Sequence, residues 1–135
     1  MRVFLDANVV FPASNSGSNI ELLIHLLLDR GTGVTSDLAL EEARRNVELK
    51  RPNWSEPFQA LVNNIEVVPS VQFELSVELV ENDVPILCTA IQADCDALVT
   101  GDKRHFGHLY GRTIDGVKVM SLVDLATALN EWQSQ

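Results

Sequence analysis

Five short runs of β-branched and aliphatic residues punctuate the chain: "VFL" from Val3, "GVTS" from Gly33, "IEVVP" from Ile65, "ALVT" from Ala97 and "GVKVM" from Gly116. Between them lie stretches with helical spacing or helix-stop signals. Strands that alternate with helices favour a parallel sheet, because parallel neighbours need a crossover that packs back on the sheet. The expected fold is a three-layer α/β/α sandwich around a mainly parallel five-stranded sheet. With 135 residues, 46% of them hydrophobic, the chain can bury a core and is read as one domain over 1–135.

The first strand, within "VFLDANVVF", ends near Asp6, and "PASNSGSN" follows as a polar loop whose Ser14 to Asn19 part borders Asp6 and shapes entry to it. Ile20, Leu23, Ile24, Leu27 and Leu28 mark a helix that Gly31 to Gly33 stop. Ser36 or Asp37 caps the next helix, "LALEEARRNVELK", which Pro52 ends. Trp54 to Val62 reads as a short helix, "QFELSVELV" (72–80) as another, and "VPILCTAIQA" as a third with proline early, where it is tolerated. "LVDLATALNEW" is the last helix. Cys88 and Cys95 are seven apart in what reads as one helix, without zinc spacing, and are taken as reduced and packed. With no signal peptide or membrane span in view, a cytoplasmic protein is expected.

Ligands of open parallel sheets bind outside the carboxyl ends of the strands. Asp6 closes the first strand and Asp102 closes "ALVT", so both belong to one sheet edge. Asp96 precedes the same strand; six extended residues span roughly 20 Å, so Asp94 and Asp96 are turn residues at the opposite edge. Two adjacent glutamates separate by helical geometry. Glu41 falls with Arg44, Arg45 and Glu48 on a solvated face and suits an i,i+4 pair with Arg45, whereas Glu42 lies on a line with Leu38 and Leu49 and points inward. Asp83 can cap its helix and also heads the face of Ile86, Leu87 and Ala90. Each acid alone has an ordinary explanation as turn, cap or solvated face. Together they allow a second reading, a cation site, since close carboxylates repel unless protonated or metal-bound.

The stretches "FLDANVV", "TSDLALEEARRNV" and "NDVPILCTAIQADCDALVTGDKRHF", in this order over nearly the whole chain, resemble the PIN-domain nucleases, in particular the VapC-like toxins of toxin–antitoxin pairs. The last stretch is the most specific: an acid, an apolar helix, then a short strand ending in T-G-D. The resemblance implies a metal-dependent endoribonuclease that leaves a 3′ hydroxyl. Its four acids carry over to Asp6, Glu42, Asp83 and Asp102, and Asn8 and Thr100 match polar positions beside the first and last. Asp6, Asp83 and Asp102 would hold Mg²⁺ or Mn²⁺, which suit hard oxygen ligands, with Glu42 assisting and a second ion arriving with substrate. The resemblance also implies RNA as substrate, a cognate antitoxin as partner and a homodimer.

Nineteen acidic against ten basic residues, net −9, argue against tight RNA binding by surface charge alone. Lys103 and Arg104 are RNA-contact candidates, though an exposed turn explains them equally. His105 and His108 form an H-x-x-H without a third ligand near in sequence and are read as a surface pair; Trp54 and Trp132 are read as packing residues. A haloacid dehalogenase-like phosphatase would need a second Asp where Asn8 stands. A phospho-receiver domain would need paired acids after the first strand, and Asp6 stands alone. An inactive PIN-fold binding module is the remaining rival, although all four acids are present.

Overall fold

The computed structural model describes residues 1–133, with side chains described as far as Glu131; Trp132, expected to pack, lies outside the described side chains. In chain order the elements are β1 (Arg2–Leu5), α1 (Ala7–Ala13), α2 (Asn19–Arg30), β2 (Thr32–Ser36), α3 (Asp37–Lys50), α4 (Ser55–Val62), β3 (Glu66–Val68), α5 (Val84–Gln92), β4 (Ala97–Val99), α6 (Lys103–Phe106), β5 (Thr113–Ile114), β6 (Val117–Met120) and α7 (Leu122–Gln133). The sheet order is β3-β2-β1-β4-β6-β5, parallel except for β5.

This order explains the three layers. The chain steps from β1 to β2 to β3 in one direction, so right-handed crossovers put α1 to α4 on one face. It then returns past β1 to β4, which puts α5 on the other face. β1 and β4 are therefore neighbours on either side of the point where the winding reverses, and a crevice opens between their carboxyl ends. β1 is central: Val3, Phe4 and Leu5 are fully buried. A strand covered on both faces has no polar side to show, which is why it reads as an unbroken apolar run. Burying each such side chain contributes about 1.5–3 kcal/mol.

The structure departs from the sequence reading in four places. The sheet has six strands, not five, because Thr113–Ile114 pairs back on β6. Asp115 and Gly116, at φ 48° and 90°, form the two-residue loop, the positive-φ turn that suits the twist of a hairpin. Next, "NVVFP" does not extend the first strand or open a loop. It is helix α1, started by the Asp6 side chain accepting from Ala7 N, with Ala7, Val9, Val10 and Ala13 buried. Third, Gln72–Val80 is not a helix. It runs as an irregular extended strap in which Leu75, Val77 and Leu79 are half-buried between exposed neighbours, a period of two rather than 3.6. Val71 N donates to Thr89 Oγ1 (3.0 Å), and Cys88 Sγ donates to Phe73 O (3.3 Å), so α5 holds the start of the strap through side chains. Finally, the two cysteines are free and buried, but α5 ends before Cys95. Asp94, at φ 55°, turns the chain there towards β4.

Ser36, rather than Asp37, caps α3 by accepting from Ala39 N at 3.1 Å. Asp37 instead ties the end of β3, accepting from Ser70 N and Ser70 Oγ. Trp54 is half-buried against Phe11, ring centres 5.3 Å apart. No helix among the described residues is long and apolar enough to cross a membrane.

Candidate active site

At the crevice between β1 and β4 opens a cleft of about 680 Å³ lined by Asp6, Asn8, Glu42, Asp83 and Asp102. The four acids arrive on four different elements. β1 delivers Asp6 and β4, through Thr100 and Gly101, delivers Asp102. The middle of α3 carries Glu42. Asp83 stands at the start of α5.

Asp6 is buried and tightly tethered. Its Oδ1 accepts from Ala7 N at 2.7 Å and its Oδ2 from Thr100 Oγ1 at 3.0 Å. Burial pushes its carboxyl up to about 6 against these hydrogen bonds, and the negative charges of Glu42 and Asp83 push the same way. Thr100 Oγ1 also accepts from Asn8 Nδ2 (3.2 Å) and Asp102 N (3.1 Å), so its one proton and both lone pairs are used. Asn8 Oδ1 accepts from Gly101 N at 2.8 Å. Asn8 and Thr100 thus clamp the exit of β4 against the start of α1, and Asp6 and Asp102 are held in register with each other. Tyr110 Oη closes the clamp by donating to Thr100 O at 2.9 Å.

Gly101 is not there for conformational freedom. A Cβ added to it would meet Asn8 at 3.6 Å, ordinary contact distance.

Glu42 lines the cleft, but it is exposed rather than turned inward, and its line is not buried. Leu38 is 57% and Leu49 81% exposed; the buried stripe of α3 is Ala39, Ala43 and Val47. Glu42 sits on the flank between stripe and solvent, facing the cleft beside Arg45 and Asn46. The expected Glu41–Arg45 pair is absent: Glu41 approaches Arg44, at 4.0 Å, and Arg45 lines the cleft. Asp83 does not use its side chain as a cap. Burial raises its pKa, opposed by His105.

His105 is the residue the sequence reading missed. It is no surface pair with His108, which turns away and places Nε2 2.9 Å from Glu78 O. His105 Nδ1 lies 2.8 Å from Asp83 Oδ2 and 3.0 Å from Asp102 Oδ2. The available signal was the spacing Asp102-x-x-His105 across one turn, not the H-x-x-H. Lys103 and Arg104 do not line the acid cleft; Arg104 lines a separate groove with the strap. The cations that do line it are Arg45 and Lys50. Nor does the loop after α1 border Asp6: it lies a helix length away, and Ser16 lines a different cavity. Asp96 is at the opposite edge, its Oδ2 accepting from Arg2 N.

The residues present fit a divalent cation. Asp83 Oδ2 is a buried oxygen without a hydrogen-bond partner, aimed into the acid cluster. Among the described residues no Lys or Arg pairs with Asp6, Glu42, Asp83 or Asp102, and the basic side chain that reaches Asp83 and Asp102 is His105. Carboxylates so gathered lack a compensating charge that a hard cation would supply.

No protein-family model matches the chain, and no curated protein matches it. Solved structures do. VapBC2 of Rickettsia felis, bound to a DNA fragment from their promoter, includes a chain that superposes with a TM-score of 0.67 at 19% identity, over 90% of this chain and 98% of that one. PAE2754 of Pyrobaculum aerophilum gives 0.63 at 16% identity, over 100% and 97%. A PilT N-terminus domain protein, SSO1118 of Sulfolobus solfataricus, gives 0.58 at 11% identity, over 97% and 95%. The likeness extends over whole chains on both sides and assigns this chain the PIN-like fold.

Proposed function

We propose that this protein is a metal-dependent endoribonuclease, working in the cytoplasm as the toxin of a toxin–antitoxin pair. One observation carries the reading: four carboxylates from four elements line one cleft at the point where the sheet reverses its winding. Asp6, Asp83 and Asp102 hold Mg²⁺ or Mn²⁺, and Glu42 assists from α3. A divalent cation bound there would offset charge on a phosphodiester and acidify a water molecule for attack.

The chain's own residues do the rest. The hydrogen bonds from Thr100 and Ala7 N fix Asp6, and Asn8 fixes the backbone that carries Asp102. Arg45 and Lys50 give a chain of net charge −9 its cationic contacts to the RNA backbone inside the cleft, with Lys103 and Arg104 contacting RNA outside it. The likeness to VapBC2 supports a cognate antitoxin as partner, and a homodimer would set two clefts along one RNA.

End-group analysis tests the chemistry. A defined single-stranded RNA incubated with protein and Mn²⁺ should yield fragments with 3′ hydroxyl and 5′ phosphate ends. Cyclic 2′,3′-phosphate ends would mean attack by the ribose hydroxyl instead, and would overturn a water-based mechanism.

A further inference from the structure

The proposed metal site has an expected all-oxygen donor set, yet His105, which lines the adjoining strap groove, brings a nitrogen against two of its carboxylates. Nδ1 of His105, Oδ2 of Asp83 and an oxygen of Asp102 all lie within 4.8 Å of one another. Two of the separations are 2.8 and 3.0 Å. Donors bound side by side to one first-row ion, each about 2.1 Å from it, sit roughly 3 Å apart. These separations therefore match neighbouring ligands of a common ion.

They also fit a direct contact of His105 with the two carboxylates, one that opposes the burial-driven rise of the Asp83 pKa. The 2.8 Å contact with His105 leaves the buried Asp83 Oδ2 with hydrogen-bonding capacity unfilled. The local fold also supports chelation. Asp102 is the cap of α6, its Oδ1 accepting from His105 N at 3.1 Å, so one helical turn fixes both side chains on the same side. Asp83 faces them from the start of α5.

We propose that His105 is a metal ligand, giving with Asp83 and Asp102 a mixed nitrogen–oxygen site that prefers a first-row transition dication such as Mn²⁺ over Mg²⁺. Mn²⁺ shares the preference of Mg²⁺ for carboxylates but, as a first-row transition ion, also accepts an imidazole nitrogen, whereas Mg²⁺ demands oxygen ligands in near-ideal octahedral geometry. This inference rests on the metal-dependent reading above and specifies which ion the cleft selects.

Pulsed electron paramagnetic resonance on the protein loaded with one equivalent of Mn²⁺ tests the ligand directly. The wild type should show ¹⁴N modulation from one imidazole, and His105→Gln should not. By calorimetry, His105→Gln should bind Mn²⁺ at least about tenfold more weakly, the loss typical of removing even an outer-shell partner, while Mg²⁺ binding changes less than threefold. Matching far-ultraviolet circular dichroism of the two metal-free proteins controls for folding. Manganese bound without nitrogen modulation, but lost in Asp83→Asn, would overturn the role of His105 and leave the carboxylate site intact. A wild type that binds neither ion would overturn both.

Discussion

Burial holds the Asp6 carboxyl near pKa 6, above its ordinary 3.8, and that rise has a consequence for the metal-free protein. A carboxyl whose pKa is raised on folding favours the native state while protonated. The contribution is complete below about 3.8, declines as the pH rises and is gone once the pH has passed through about 6. A rise of this size corresponds to about 3 kcal/mol. Asp6→Asn stays neutral at every pH and keeps the contribution. In EDTA at pH 7 it should therefore melt higher than the wild type, by several degrees for a domain of this size, and the gap should close towards pH 4. A variant that melts lower at pH 7 would contradict the assigned environment of Asp6. The same scale shows what a sequence can and cannot reveal of a cleft. Strand ends announce Asp6 and Asp102, because a strand that stops on an acid must deliver it to the sheet edge. Glu42 could be separated from Glu41 by angle alone, but the burial of its line could not be foretold: Leu38 and Leu49 are exposed although apolar. His105 escaped because its distant partner, Asp83, meets it only after α5 and α6 have packed, and its local partner, Asp102, was read as a strand end rather than as the cap of α6. Sequence spacing to His108 suggested a different pair.

At the scale of elements, the segments that were hard to read are those held by side chains rather than by a backbone ladder. The strap from Gln72 to Val80 carries apolar residues that fit a helical spacing nearly as well as a period of two. Its choice is made by α5, whose Thr89 and Cys88 bond Val71 and Phe73. Thr89→Val keeps the shape and removes the bonds to Val71, each worth about 1 kcal/mol net. Amide exchange of residues 71 to 75 should then accelerate by about tenfold, while β1 amides keep their protection. Equal acceleration in β1 would mean that the strap is no separate unit. α1 was misread for a related reason. Its seven residues are too few to display a period, and what starts it is the Asp6 side chain, a group the sequence presents first as a strand terminator. The extra strand β5 had a visible signal in Asp115–Gly116, but a two-residue partner offers no pattern of its own.

At the scale of the whole molecule, the fold exists to bring chain ends together that sequence keeps far apart. Reversal of the winding between β1 and β4 makes neighbours of residues 94 apart, so that Thr100 bonds Asp6 directly. The parallel sandwich was legible because alternation of strand and helix is a property of the whole chain and survives local errors such as the strap. The acidic balance belongs to this scale too: at net −9 the molecule repels a polyanion, so the proposed activity depends on cations gathered in the cleft and on the ion that its acids bind. The most direct measurement is therefore cleavage of a defined RNA by purified protein, with Mn²⁺, after EDTA, and after Mn²⁺ is restored, run beside Asp6→Asn. Cleavage by the wild type that EDTA stops and Mn²⁺ restores, with at least a hundredfold loss in Asp6→Asn, is the predicted result. Cleavage that persists in EDTA, or that Asp6→Asn retains in full, would contradict the account.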